Sequence, residues 1–202
     1  MNIELYYAPQ TRSIRPRWLL EELELPYTLH SMELFDETMR SREYRRIHPL
    51  GQIPAIRIDG EIMIESVAMC HWLADQFLEK GLAPKHDSDL RKAYEQWMFF
   101  LPGTLEPPLM EMLMHTLLLP EKSRVPQILP LARRRYTQAL KILDNVLSDR
   151  PYLLGASFSV ADLVIGATLR WSPNDLDRFE TLADYVQRLE QRPAWQRICT
   201  DS

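Results

Sequence analysis

Two hydrophobic periods divide this chain. Ile3, Leu5 and Tyr7 alternate with Asn2, Glu4 and Tyr6, the period of a strand. Ala8-Pro9-Gln10-Thr11 breaks the pattern. A helix is predicted from about Ser13 to Glu24, with Trp18, Leu19 and Leu23 on its apolar side. Pro16 is tolerable there because it falls in the first turn, and Leu25-Pro26 ends the helix. Tyr27 to His30 is a second strand candidate, and residues 36–46 are charged and weakly helical. Ile56 and Ile58 then alternate with Arg57, and Ile62 and Ile64 with Met63, so one face of each segment is apolar. Asp59-Gly60 between them predicts a hairpin, because a type I′ turn needs φ > 0 at both central residues. Ser66 is the candidate N-cap of a helix running to about Glu79. The order is β-α-β-α-β-β-α.

After a polar stretch with Pro84, strand signals nearly vanish. Leu90, Ala93, Tyr94, Trp97, Met98 and Leu101 follow a 3.6-residue period, and Pro102-Gly103 interrupts it. Ala132, Tyr136, Ala139, Leu140, Leu143, Val146 and Leu147 make another helix face, while Arg133-Arg134-Arg135 reads as a solvated one. Ser159-Val160-Ala161-Asp162 is a capping-box pattern before a nearly uncharged helix, which is expected to be buried. Leu182, Tyr185, Val186 and Leu189 mark a last amphipathic helix, closed by Arg192-Pro193. These patterns predict an α/β domain over 1–80, a linker over 81–89 and an all-helical domain over 90–202.

Composition narrows the function classes. A net charge of −4 over 202 residues argues against a general nucleic-acid binder. Cys70 and Cys199 are far apart and form no disulfide framework, which points to a reducing, cytoplasmic setting. No apolar leader and no long uncharged apolar window occurs, so neither a signal peptide nor a membrane span is expected. No GxGxxG or Walker loop supports nucleotide binding. His30, His48, His71, His86 and His115 are scattered, with no ligand spacing, so no metal is expected. Cys70 falls on a core-facing helix position and reads as an inert thiol.

The most informative stretch is His48-Pro49-Leu50-Gly51-Gln52-Ile53-Pro54, continuing to Glu65-Ser66. A loop with Gly and two prolines precedes the hairpin, and an acidic-hydroxyl pair opens the following helix. Free N–H groups and the positive dipole end at a helix start suit a carboxylate.

Taken with Phe158-Ser159-Val160-Ala161-Asp162 and the switch from α/β to all-α, these motifs resemble the glutathione S-transferase family over nearly the whole chain. The resemblance implies a thioredoxin-like N-terminal domain, an all-helical C-terminal domain and glutathione as co-substrate. It makes Pro54 a cis proline and turns the Ile53 backbone toward the cysteinyl backbone of glutathione, as an added strand would pair. It sets Glu65 on the ammonium, Ser66 on the carboxylate of the γ-glutamyl end, and Gln52 at the tripeptide backbone. His48 stands where the family commonly has Asn, and a side-chain hydrogen bond from it is expected to keep the loop shape.

Family members stabilise the glutathione thiolate with a hydroxyl or thiol after strand one. Thr11 falls where theta- and zeta-like classes carry a catalytic Ser, and it is the first candidate. Ser13 is second, with a helix cap as its alternative role, and Tyr7 is third, on a strand face that looks core-directed. Arg12 stands where the beta-like class carries Cys, so no mixed disulfide forms at that position. The implied activity is transfer of glutathione to a small hydrophobic electrophile. A glutathione-dependent peroxidase, disulfide reductase, isomerase or dehalogenase, and a non-catalytic binding protein, are the alternatives. Trp97, Phe100, Met110 and Met114 supply soft apolar surface for the electrophile between the domains, or are plain core. A homodimer through helices near residues 66–100 is also implied.

Overall fold

The computed structural model describes residues 1–34 and 36–200, so Asp201 and Ser202 of the expected helical domain lie outside the described residues. The chain divides into two compact units. One holds Met1–Lys85 and the C-terminal stretch from Leu189; the other is His86–Arg188.

The first unit follows the predicted order. Strand β1 (Ile3–Tyr7) leads to helix α1 (Ile14–Leu23), strand β2 (Thr28–Ser31) and a single helical turn, α2 (Glu37–Arg40). A 3-10 turn at Tyr44–Arg46 precedes the hairpin of β3 (Ala55–Ile58) and β4 (Glu61–Ile64), and α3 (Ser66–Gln76) follows. The sheet order is β2-β1-β3-β4, with β1 parallel to β2 and the other pairs antiparallel. The hairpin turn uses positive φ at Asp59 (49°) and Gly60 (92°). The Asp59 carboxylate accepts the Asn2 N–H at 2.7 Å, and the Asp59 N–H donates to Asn2 O at 2.9 Å, tying the turn to the start of β1.

Position in the sheet decides which alternating residues are buried. Leu5 lies between Leu29 and Ile56 in register, and both Leu5 and Ile56 are fully buried. Alternation predicts an apolar, buried face for β4 as well, yet Ile62 is 40% exposed. β4 is an edge strand with one neighbour, so only part of its apolar side finds cover. On one side of the sheet Tyr6, Met39, Tyr44 and Ala55 form a small cluster that Met32, Ile47, Ile53 and Ile64 extend.

A helix that the sequence pattern does not predict completes this unit. Pro193 is expected to close the last helix, but it starts α10 (Pro193–Thr200), where its missing N–H is harmless. Helix α10 packs on α1: Trp18 and Trp195 meet edge-on with ring centroids 4.7 Å apart. Arg192 clamps Glu22 through two hydrogen bonds of 2.6 and 2.8 Å. Arg197 reaches the Glu21 carboxylate at 2.7 Å and its carbonyl at 2.8 Å.

The second unit contains α4 (Arg91–Phe100), α5 (Glu106–Leu113), α6 (Leu129–Leu147), α7 (Val160–Leu169), the short α8 (Pro173–Leu176) and most of α9 (Glu180–Glu190). Pro102-Gly103 does not break the helical path. A π turn at Leu101–Leu105 joins α4 to α5, absorbing the proline's missing donor in a widened turn. A second π turn follows α5 at Met114–Leu118.

Helix α7 is buried along its whole length, as its lack of charge predicts. Ser159 and Asp162 form its capping box. One Asp162 carboxylate oxygen accepts the Ser159 N–H and hydroxyl, both at 2.8 Å. The other accepts the Leu153 N–H at 2.7 Å and the Tyr185 hydroxyl at 2.9 Å. A carboxylate is an acceptor with about four lone-pair sites, so this buried charge is fully satisfied.

Candidate functional site

The first wall is the turn between β1 and α1. Gln10 adopts a left-handed backbone (φ 57°), which throws Thr11 back over Ala8. The Thr11 hydroxyl lies 2.8 Å from Ala8 O and 2.7 Å from Ser13 Oγ, and it accepts the Ser13 N–H at 3.2 Å. Thr11 is half-buried, whereas Ser13 is fully buried. Ser13 does not cap α1: its hydroxyl turns back across the loop, 2.8 Å from Ala8 O, and accepts the Ala8 N–H at 3.1 Å. The Ser13 backbone is already helical (φ −67°, ψ −15°), a geometry that does not aim Oγ at the helix N–H groups. Tyr7 is 4% exposed, and the Arg17 guanidinium sits 4.8 Å from its ring centre. Among the described residues, the Tyr7 hydroxyl makes no hydrogen bond of ordinary geometry.

The second wall is the loop into β3. The Ile53-Pro54 peptide is cis, as the resemblance implies. Gln52 is exposed, Ile53 half-buried and Pro54 buried. Tyr44 anchors the loop by donating its hydroxyl to Gln52 O at 2.8 Å. Gly51 has φ 62°, and a Cβ there would run into the Met39 carbonyl oxygen, so only glycine fits. The side-chain bond expected from His48 does not come through Nδ1. Its Nδ1 is buried and, among the described residues, without a partner. Backbone bonds close the loop: His48 N–H to Tyr44 O and Gly51 N–H to His48 O, each at 2.8 Å. Burial pulls the imidazole below its ordinary pKa, against the raising effect of the Glu65 charge.

At the start of α3 the expected cap shifts by one residue. Glu65 is the N-cap and Ser66 the first helical residue. Glu65 is exposed and has φ 72° and ψ 99°, a costly backbone for a residue with a Cβ. Ser66 is 4% exposed, and its hydroxyl oxygen accepts from Arg15 Nη1 at 3.0 Å. Because guanidinium only donates, the Ser66 proton is left to point elsewhere. Arg15 is 1% exposed and spans from α1 to α3. Cys70, one turn further on, is pushed up to about 12 by burial, with the Arg15 charge pulling the other way.

A cavity of about 420 Å³ opens beside the first wall, lined by Ala8, Pro9, Ser31, Met32, Glu33 and Leu34. Its position at the ends of β1 and β2 has no signature in the sequence. Arg15 and Tyr44 are further site residues that pattern reasoning missed. No local pattern sets Arg15 apart, because Arg17, Glu21 and Glu22 are charged in the same helix.

Tyr7, Thr11, Ser13, Gln52, Ile53, Pro54, Glu65 and Ser66 all belong to the first unit. Trp97, Phe100, Met110 and Met114 belong to the second. There Trp97 is buried and meets Phe100 edge-on at 5.3 Å, while Phe100, Met110 and Met114 are half-buried. Among the described residues no cluster of His, Cys, Asp and Glu could hold a metal ion, and no helix is long and apolar enough to cross a membrane.

A four-stranded sheet with a cis proline before β3, followed by a helical unit, is the architecture of thioredoxin-like proteins with a helical C-terminal domain. Residues 11–76 match the glutathione S-transferase N-terminal domain, and residues 126–199 match the glutathione S-transferase C-terminal domain. The chain belongs to the glutathione S-transferase family. It is 32% identical to the disulfide-bond oxidoreductase YfcG of Escherichia coli K12, over 95% of this chain and 92% of that protein. It is 26% identical to the glutathione S-transferase GstA of Escherichia coli O157:H7, over 96% of each. The fold superposes on the ternary complex of BphK, a bacterial GST, with a TM-score of 0.87, 27% identity and 98% of both chains covered.

Proposed function

We propose that this protein binds glutathione, ionises its thiol at Thr11 and transfers the thiolate to a small hydrophobic electrophile. The observation that carries the reading is the half-buried Thr11 hydroxyl on the turn before α1, with the Ser13 N–H donating to it. A free thiol has a pKa of about 8.5, and lowering it by ~2 units requires ~2.7 kcal/mol of preferential thiolate stabilisation. One hydroxyl donor and the α1 dipole supply interactions of that size. In this reading the Ile53 backbone pairs with the cysteinyl residue, and Gln52 contacts the tripeptide backbone. Glu65 takes the ammonium. The Ser66 hydroxyl and the first N–H groups of α3 take the γ-glutamyl carboxylate. The thiolate attacks the electrophile's carbon, the carbon–sulfur bond forms, and the leaving group departs with the electron pair. The apolar part of the electrophile rests on Pro9, Met32 and Leu34, which line the cavity beside Thr11. Trp97, Phe100, Met110 and Met114 are the second unit's candidates for apolar substrate contact.

The test is thiolate absorbance of bound glutathione against pH. A bound thiol that keeps its solution pKa sinks the enzyme reading. A lowered pKa that survives Thr11→Ala removes Thr11 from the role. Glutathione affinity that falls more than stability does in Glu65→Ala and Ser66→Ala supports the binding assignments, and unchanged affinity removes them.

A second reading is disulfide reduction, favoured by the likeness to a disulfide-bond oxidoreductase. No cysteine lies between Ala8 and Pro16, so that chemistry would run on glutathione thiols alone. Turnover of aryl halide, epoxide, hydroperoxide and disulfide substrates separates the readings. A cytoplasmic setting suits the two free cysteines. The homodimer that the family resemblance implies is tested by sedimentation of the wild type and of a Trp72→Glu variant, Trp72 being 37% exposed on α3.

A further inference from the structure

The turn that carries Thr11 contains more hydrogen-bonding groups than one donor needs. Ala8 is fully buried, and its carbonyl lies 2.8 Å from both the Thr11 and the Ser13 hydroxyl. The two hydroxyls are 2.7 Å apart. Each hydroxyl has one proton. The Ala8 N–H already donates to Ser13 Oγ and the Ser13 N–H to Thr11 Oγ1, so these contacts fix which lone pairs are taken. A buried carbonyl stripped of its donor is costly. With Ser13 donating to Ala8 O, that carbonyl keeps a donor when the Thr11 proton turns toward a ligand. Without Ser13, the Thr11 proton is the side-chain donor that the described contacts leave for that carbonyl. It is then held inward, away from any ligand.

We propose that Ser13 is a positioning residue: its buried hydroxyl keeps the Ala8 carbonyl supplied and so releases the Thr11 proton to a thiolate. Ser13 is fully buried and does not touch substrate; it acts through Thr11. This inference rests on Thr11 being the thiolate donor. It accounts for two neighbouring hydroxyls in one turn where the chemistry needs one, and for a serine at the helix start that does not cap the helix.

The experiment is a double-mutant cycle on the pKa of bound glutathione, read as thiolate absorbance, with binding of S-methylglutathione as the control. That thioether has no ionisable thiol, so it reports the site's shape and not its proton. Ser13→Ala is expected to raise the bound thiol's pKa by about one unit, a ten-fold fall in thiolate on the acid limb. Affinity for S-methylglutathione is expected to stay within about two-fold of wild type, the scatter ordinarily tolerated in such cycles. Adding Ser13→Ala to Thr11→Ala is expected to change the pKa no further, because the two residues act as a unit.

Additive effects, or a Ser13→Ala pKa equal to wild type while Thr11→Ala raises it, overturn the proposal and leave the proposed function standing. A wild-type enzyme whose bound thiol is not ionised overturns the function itself. Should Ser13→Ala lose S-methylglutathione binding, Ser13→Cys decides. It has nearly the same shape and a feebler donor. A raised pKa with binding intact supports the hydroxyl's role, and a wild-type pKa overturns it.

Discussion

Asp162 is the point at which the helical unit is most open to a quantitative test. Replacing it by Ala removes the acceptor of four hydrogen bonds in a fully buried setting. The Ser159 hydroxyl can rotate, and the Tyr185 hydroxyl keeps a long contact of 3.4 Å to the Asp162 carbonyl. The N–H groups of Leu153 and Ser159 have no such escape. Each orphaned buried donor costs about 1–3 kcal/mol, and the weakened Tyr185 contact about 1 more. Asp162→Ala is therefore expected to destabilise by about 3–7 kcal/mol. Asp162→Asn keeps one carbonyl oxygen but sets an NH₂ against a donor, so it is expected to lose about half as much. Urea unfolding followed by circular dichroism reads both. With a slope of about 2–3 kcal/mol per M, the midpoint of Asp162→Ala falls by about 1–3.5 M. A loss below about 1 kcal/mol would refute the claim that this carboxylate closes the start of α7. Tyr185→Phe in the Asp162→Ala background is expected to cost less than Tyr185→Phe alone, and equal costs would uncouple the pair.

Three further predictions concern the first unit. Gly51→Ala is expected to cost at least about 2 kcal/mol, since a left-handed alanine alone costs about 1–2 and its Cβ meets the Met39 carbonyl. Gly60→Ala, whose Cβ meets nothing, is expected to cost no more than the backbone share, and denaturant midpoints of the two variants check the difference. Burial pushes the Glu21 carboxyl up, but hydrogen bonds from Arg197 and Tyr27 and the Arg197 charge outweigh it and hold the pKa below its ordinary value. A depressed folded pKa gives stability that is complete above the unfolded value of about 4.3 and is lost as pH falls through the folded one. Glu21→Gln should flatten the fall of Tm on the acid side; parallel curves would remove the Arg197 contact from the account. Cys70 is fully buried, with its thiol pushed up to about 12, and Cys199 is exposed, so a thiol reagent should label one cysteine in the native protein and two after unfolding.

What the sequence made legible was local. Asp59-Gly60 specified its turn because two positive φ values demand that chemistry. Ser159 and Asp162 announced α7 because a capping box is complete within four residues. Residues whose environment depends on distant chain were not legible. Ile62 alternates as a core strand residue does, but its exposure follows from the strand's place at the sheet edge. Pro102 and Pro193 looked like stops, yet a π turn absorbs one and the other begins a helix. Ser66 reads as a cap, and the residue before it takes that role at the cost of a left-handed backbone. The Arg15–Ser66 bond joins residues 51 apart, and nothing in either neighbourhood predicts the other. The candidate glutathione motifs were visible as a string; the Thr11, Ser13 and Ala8 network behind them was not.

Helix α10 has a consequence for biosynthesis. The unit that carries Thr11 is assembled from residues 1–85 and from residues beyond 188, so about a hundred residues of the second unit leave the ribosome in between. During that interval the α1 face that will meet Trp195, Arg192 and Arg197 is uncovered. Contacts across 170 and 176 residues close late, because distant segments must first meet. The first half of this protein therefore emerges early and is finished last. Until then a nascent chain displays the apolar side of α1 around Trp18, the surface that a chaperone would hold.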